Sequence, residues 1–246
     1  MNVILQSDNS TVETRSIRHY AALVDDVDIL NASINSLINI GYDDLKTSMP
    51  VGSVEFVQKF CSLAQIKIPE FDPYDPVIRW ALCREVRKCQ VWELFKGQDI
   101  FVKPVELKRF NGFVFKGFDY DGYDDHDLEQ VDALRQYKLC DQVYVSDVVN
   151  FVAEWRIYVT NGNGVATCRY DDSDDEYDLN SELVDFIVEA FPERTLAIDV
   201  GLLDNGKLAV VEINDAWAIG RYQGISNSDY FEFLATRWEE ICDNKR

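Results

Sequence analysis

Between Ala197 and Asp215 the chain reads AIDVGLLDNGKLAVVEIND, two alternating apolar runs around an Asn205-Gly206 pair. Asn-Gly is the strongest short-range signal for a two-residue hairpin turn, because both central residues must accept positive φ. With these two as the turn, Asp204 faces Lys207 and Asp199 falls directly opposite Glu212. Ile198, Val200 and Leu202 then face Val211 and Ala209, with Ile213 beyond, and form the core face. Ala197, Asp199 and Gly201 share the other face with Val210, Glu212 and Asn214. Like charges directly opposite destabilise a strand pair. The sequence therefore calls for something that offsets the Asp199–Glu212 repulsion.

A hard divalent cation would do so, because Mg²⁺ takes carboxylate and amide oxygens together with substrate phosphates. The alternative is a pair of solvated carboxylates on an exposed sheet face. Gly201, beside the pair, favours the close approach of a ligand. On this reading Asp199→Asn is neutral or stabilising in the metal-free protein.

A phosphate bound with magnesium also needs cations. The stretch 101–118, FVKPVELKRFNGFVFKGF, holds Lys103, Lys108, Arg109 and Lys116. Lys103 ends an apolar strand at Pro104, and Asn111-Gly112 allows the connecting loop to bend over a phosphate. In EWRIYV, Glu154 and Arg156 share one strand face. An arginine inside so apolar a strand wants an anion, either Glu154 or a phosphate, whose oxygens match the guanidinium fork.

These fragments, in this order, resemble the ATP-grasp superfamily. The resemblance is closest to the clade named for two arginines and one lysine, whose members often occur in phages. It rests on FVKP (101–104), KRFNGFV (108–114), VYVSDVVNFVAEWRIYV (143–159), IDVGLL (198–203) and VEINDAWAIG (211–220), with PVGSVEFV (50–57) ahead of them. The resemblance implies an α+β fold with two antiparallel-sheet lobes, flanking helices and ATP between the sheets. A small α/β region precedes them, giving residues 1–76 as the amino-terminal region and 77–246 as the nucleotide-binding and catalytic region.

It also implies ligase chemistry with ATP and Mg²⁺, in which a carboxylate is phosphorylated and an amine or thiol attacks the acylphosphate. By position, Lys103 and Arg84 hold nucleotide phosphates and Lys108 belongs to the mobile loop. Tyr144 and Val145 offer backbone groups to adenine, and Asp147 meets the ribose. Asp199, Glu212 and Asn214 match the metal ligands, and Arg156 binds the transferring phosphate. Two departures stand out: the loop KRFNG is poor in glycine, and Arg221, after Gly220, has no assigned role.

Composition bounds the alternatives. A net charge of −20 over 246 residues, from 44 acidic and 24 basic side chains, argues against binding a phosphate backbone. It leaves open a non-catalytic acidic interaction protein or a nucleic-acid mimic. A kinase on the same fold is the enzymatic rival, since phosphoryl transfer needs positioning and charge neutralisation rather than a covalent nucleophile. Six cysteines without a CxxC pair, and two histidines, argue against a zinc site. Cys61 and Cys83 sit in apolar patterns that read as core. No apolar run approaches the roughly 18–20 residues of a membrane span, and no signal peptide is evident, so a cytoplasmic location is expected. The substrates expected beside ATP are a carboxylate and an amine or thiol, on a small molecule or a peptide.

The spacing predicts helices over 53–64, 77–95, 180–191 and 228–242. The third carries a stripe of Leu183, Phe186, Ile187, Ala190 and Phe191. NGNG (161–164) marks a turn, DDSDDEYD (171–178) an acidic loop, and IPEFDPYDP (68–76) a linker.

Overall fold

The computed structural model describes residues 1–96, 99–107, 109–171 and 175–243. The chain opens with β1 (Asn2–Gln6), α1 (Val12–Ala21), β2 (Asp28–Ala32), α2 (Tyr42–Lys46), β3 (Ser48–Val51) and α3 (Val54–Ala64). These strands form a parallel sheet in the order β2-β1-β3. Helix α3 lies where the spacing places it. Ser53 caps it by accepting from the Phe56 amide at 3.3 Å, and Gln65 ends it at φ 54°. Its buried side, Phe56, Val57, Phe60 and Ala64, meets the last helix, where Phe60 stacks edge-on against Trp238. Each such fully buried phenylalanine contributes about 1.5–3 kcal/mol.

The next part is β4 (Val86–Gln90), β5 (Ile100–Pro104), β6 (Phe113–Phe115), α4 (Asp125–Arg135) and β7 (Gln142–Ser146). Its antiparallel sheet runs β4-β7-β5-β6. With residues 203–205 it makes one compact unit, 82–151. Val131 and Leu134 of α4 close over Val102, Phe113, Phe115 and Val143.

The helix expected over 77–95 is absent. A 3₁₀ turn (Pro76–Ala81) is broken at Cys83, whose φ is 52°, and β4 follows it. A left-handed residue cannot continue a helix, and 86–90 pairs instead with β7 along its length. Cys83 is exposed rather than core, while Cys61 is buried as expected.

The chain then returns to the first unit with β8 (Phe151–Thr160), β9 (Asn163–Arg169), α5 (Ser181–Val188), β10 (Leu196–Leu203), β11 (Leu208–Asp215) and α6 (Asn227–Asp243). Its antiparallel sheet runs β11-β10-β8-β9. The amino-terminal sheet, Ala197, Tyr158 and the buried side of α6 share one core. The α+β expectation, two antiparallel sheets with flanking helices and a small α/β region ahead of them, is met. In α5 the buried side is Val184, Ile187 and Val188, and Phe186 points outward at 57% exposure instead of joining the core stripe.

The Asn-Gly pairs at 161–162 and 205–206 turn differently. Asn161 (φ 49°) and Gly162 (φ 75°) form the two-residue turn, with Thr160 opposite Asn163. In the β10–β11 hairpin only Gly206 of the turn has positive φ (79°), and Leu202 faces Leu208, one residue off the expected register. This is the longer loop in which a left-handed glycine follows an ordinary turn. A bulge between Asp199 and Val200 then restores the expected pairing, so Asp199 does face Glu212.

An alanine Cβ at Gly206 meets nothing within 4 Å, whereas at Gly162 it would lie 2.6 Å from the Glu193 amide nitrogen. Gly206→Ala should therefore lose only the strain of a left-handed residue, about 1–2 kcal/mol. Gly162→Ala should lose clearly more. Urea unfolding of the two variants measures the difference, and equal losses would contradict this account of the turns.

Candidate functional site

The outward row of the β10–β11 hairpin does not lie on an exposed face. Asp199 is 3% exposed and Arg156, on the neighbouring strand β8, is 7% exposed. Arg156 Nε donates to Asp199 Oδ1 and Nη2 to Oδ2, both at 2.7 Å. Asn214 Nδ2 donates to Asp199 Oδ2 at 2.9 Å. The offset to the Asp199–Glu212 repulsion is thus built into the protein as a bidentate ion pair. The strand arginine finds its anion in Asp199, an option beyond the Glu154 or phosphate expected from sequence. Burial alone would push the Arg156 guanidinium down; its hydrogen bonds to and charge contact with Asp199 hold it above its ordinary value.

Across the sheet the register places Glu212 opposite Asp199 and Cys168 opposite Arg156. The segment after β11 covers this row. The Gly220 carbonyl accepts from Tyr158 Oη at 2.9 Å and from Arg156 Nη1 at 3.3 Å. Tyr158 Oη in turn accepts from the Tyr222 amide at 3.0 Å. Tyr230 Oη donates to the Ile219 carbonyl at 2.7 Å, and the Arg221 amide donates to Glu13 of α1 at 2.9 Å. Gly224, at φ +119°, leaves room for Cys168, whose Sγ would lie 3.0 Å from a Cβ there. Tyr222 stacks on Tyr170 at 4.7 Å, and the Arg156 guanidinium lies 4.8 Å from the Tyr222 ring centre. Sequence reasoning missed Tyr158, Tyr170, Tyr222 and Glu13. Only Tyr158 carried a signal, as it shares the strand face of Arg156 two residues on.

Burial pushes Tyr158 up to about 12 and raises Tyr170 and Tyr222 as well, with the Asp199 carboxylate adding to the rise in each. The Tyr170 hydroxyl also lies 3.3 Å from Glu154 Oε1.

The donor set fits a hard cation. A carboxylate oxygen has two lone pairs. Asp199 Oδ1 meets Arg156 Nε, while Oδ2 meets Nη2 and Asn214, so Oδ1 keeps a position for a metal. Asn214 turns its amide nitrogen to Asp199, leaving its oxygen for the same use. Glu212 supplies the second carboxylate. Two carboxylates and an amide suit Mg²⁺.

The remaining sequence-predicted residues lie in the second unit. Lys103 of β5 pairs with Tyr144 of β7, whose ring also lies 5.0 Å from Lys88 Nζ. Arg84 sits in the bend before β4 rather than in a helix. It donates to the Leu82 carbonyl at 3.1 Å and lies 5.6 Å from the Phe151 ring centre. Lys108 lies outside the described residues. Gly112 gives room to the Phe101 ring, which a Cβ would meet at 2.5 Å.

Tyr144 and Val145 lie in β7. β7 is an interior strand, and both residues pair with β4 on one side and β5 on the other. Their backbone groups are engaged in the ladders. The first backbone outside them follows Ser146, at the exposed Asp147 and Val148.

The family model of an ATP-grasp domain, the second family of its clade, matches residues 82–233. No curated protein sequence matches the chain. Among solved structures, D-alanine–D-alanine ligase from Bacillus anthracis is similar over 100% of both chains, with a TM-score of 0.58 and 12% identity. The ATP-grasp ligase PsnB, complexed with a minimal precursor, is similar over 96% of this chain and 99% of its own, at 0.54 and 12%. N5-carboxyaminoimidazole synthase from Aspergillus clavatus follows at 0.52 and 14%, over 98% and 76%. At these identities the likeness establishes the fold.

The ion pair reverses the sign expected for Asp199→Asn. Losing the carboxylate leaves Arg156 buried without its counter-charge, at about 3–5 kcal/mol. Arg156→Met should cost a similar amount by stranding Asp199, and the double variant Arg156→Met/Asp199→Leu should recover most of it. Denaturant unfolding of the four proteins tests this, and additive losses would contradict it. A second test follows from Tyr158. A raised tyrosine stabilises the fold below pH ~10, the unfolded value, and that stability is lost as pH rises toward about 12. Tyr158→Phe should lower stability at neutral pH and flatten the alkaline slope. A slope identical to wild type would show that Tyr158 does not contribute to it.

Proposed function

The chain belongs to an ATP-grasp domain family, the second of its clade, and from that premise we propose that it is an ATP-dependent ligase joining a carboxylate to an amine or thiol. The observation that carries this reading is the row Glu212, Asp199 and Arg156 with Asn214 beside it: oxygen ligands for a metal next to a fixed guanidinium. The reading treats residues 1–76 as an amino-terminal region and 77–246 as the nucleotide-binding and catalytic region.

In the proposed reaction a substrate carboxylate oxygen attacks the γ-phosphorus of ATP and ADP leaves. The amine or thiol then adds to the acyl carbon of the acylphosphate, loses a proton, and inorganic phosphate departs. Mg²⁺, held by Asp199, Glu212 and Asn214, would neutralise charge on the nucleotide phosphates. Lys103 and Arg84 bind phosphate oxygens, and Lys108 joins them from the neighbouring loop. The backbone after β7 receives adenine, next to Tyr144 and Val145, and Asp147 meets the ribose. Arg156 Nη1 gives one hydrogen to the Gly220 carbonyl and keeps its second for the transferring phosphate. The fixed fork contributes by positioning, since it does not reorganise during the reaction.

The likeness to a D-alanine–D-alanine ligase and to a ligase crystallised with a precursor supports carboxylate activation over simple phosphorylation.

Mg-ATP should raise the melting temperature of the wild-type protein. Glu212→Gln and Lys103→Ala should each weaken that binding tenfold or more, about 1.4 kcal/mol. No shift in the wild type would remove the ligase and kinase readings together and favour an acidic interaction protein. Product analysis separates the enzymes: an amide or thioester with free phosphate marks the ligase, a phosphorylated acceptor the kinase.

A further inference from the structure

Phe186 belongs by pattern to the buried stripe of α5, yet it is 57% exposed. It does not stand alone. Trp80, 49% exposed, packs edge-on against it with ring centres 5.0 Å apart, and Val77 on the same 3₁₀ turn is 41% exposed. Scattered exposed apolar residues are ordinary, but a ring pair that holds its geometry at the surface is a preformed apolar platform.

Its surroundings are acidic. On α5, Glu182 lies one turn before Phe186, Asp185 beside it and Glu189 one turn after, all exposed. Glu193 follows, and Arg79 is the exposed cation next to Trp80. Four exposed carboxylates stand against the guanidinium of Arg79 and that of Arg194, the latter paired with Asp75 at 3.2 Å, and leave the rim net negative.

The charge selects the occupant. A second copy of this chain would bring another −20 and the same acidic rim, so self-association is repelled. Nucleic acid and anionic membrane surfaces are repelled for the same reason. The geometry points to a docking surface at Trp80 and Phe186 for a cationic polypeptide segment, one that places an aromatic or large aliphatic side chain on the ring pair and lysines or arginines on Glu182, Asp185 and Glu189. This inference uses no part of the catalytic reading and stands or falls without it.

The probe is a labelled synthetic peptide of alternating lysine and leucine with a central phenylalanine, followed by fluorescence anisotropy on the full chain. The control peptide carries glutamate for each lysine. The lysine peptide should bind and the control should not. Trp80→Ser combined with Phe186→Ser should weaken binding about tenfold or more at every salt concentration. Glu182→Gln combined with Glu189→Gln should weaken it at low salt and flatten its salt dependence. All four substitutions are at exposed positions, and circular dichroism verifies that each variant folds. Failure of the lysine peptide to bind, or equal affinity for the serine variant, would overturn the proposal, the latter by showing diffuse charge attraction only. Sedimentation that detects wild-type dimers absent from the serine variant would assign the platform to a second copy and overturn it as well.

Discussion

The fold of the first unit turns on one ion pair. Arg156 and Asp199 face each other from adjacent strands with two hydrogen bonds of 2.7 Å, both nearly sealed from water. Isolated, either charge would be costly at that depth. Together they define how β8 meets β10, they orient Asn214, and they give the covering segment a donor for its Gly220 carbonyl. Tyr158 of the same strand as Arg156, Tyr230 of α6 and Glu13 of α1 complete the hold on that segment. A buried charge pair of this kind need not add net stability against an apolar replacement. Its value here lies in fixing a guanidinium and a carboxylate in one orientation beside an oxygen-rich row.

The hairpin is the most legible part of the sequence, and it is legible for a partly mistaken reason. Asn205-Gly206 reads as a two-residue turn, which it is not, and the register near the turn is one residue off. The bulge beside Asp199 cancels that offset, so the inferred Asp199–Glu212 pairing is correct. Bulges of this kind re-aim side chains near functional sites. The same dipeptide at Asn161-Gly162 does make the two-residue turn, so the choice between turns comes from the surrounding sheet.

Elsewhere legibility follows from how local the determinant is. Helix α3, with its serine cap and one-sided apolar spacing, is plain. The α+β class follows from the order of strands, turns and helices. The 77–95 segment misleads because its apolar residues fit a helical spacing while its partner, β7, is distant in sequence. The partner of Arg156 is hidden for the same reason: Asp199 is 43 residues distant, and only the sheet order brings them together. Glu13 has no readable signal, because its contact depends on how α1 packs against α6 and the covering segment. Spacing puts Phe186 in the core, although Val184, Ile187 and Val188 already fill that side of α5.

These features combine into an account in which the protein's own arginine balances one carboxylate so that the pair of carboxylates can exist before any metal arrives. On the proposed reading a metal would meet a site whose geometry is already set, which lowers the cost of organising it. A crystal structure with a non-hydrolysable ATP analogue and Mg²⁺ tests this most directly. The account predicts a metal bound by Asp199, Glu212 and Asn214 with the Arg156–Asp199 contact retained. A nucleotide bound with its metal away from this hairpin would contradict it.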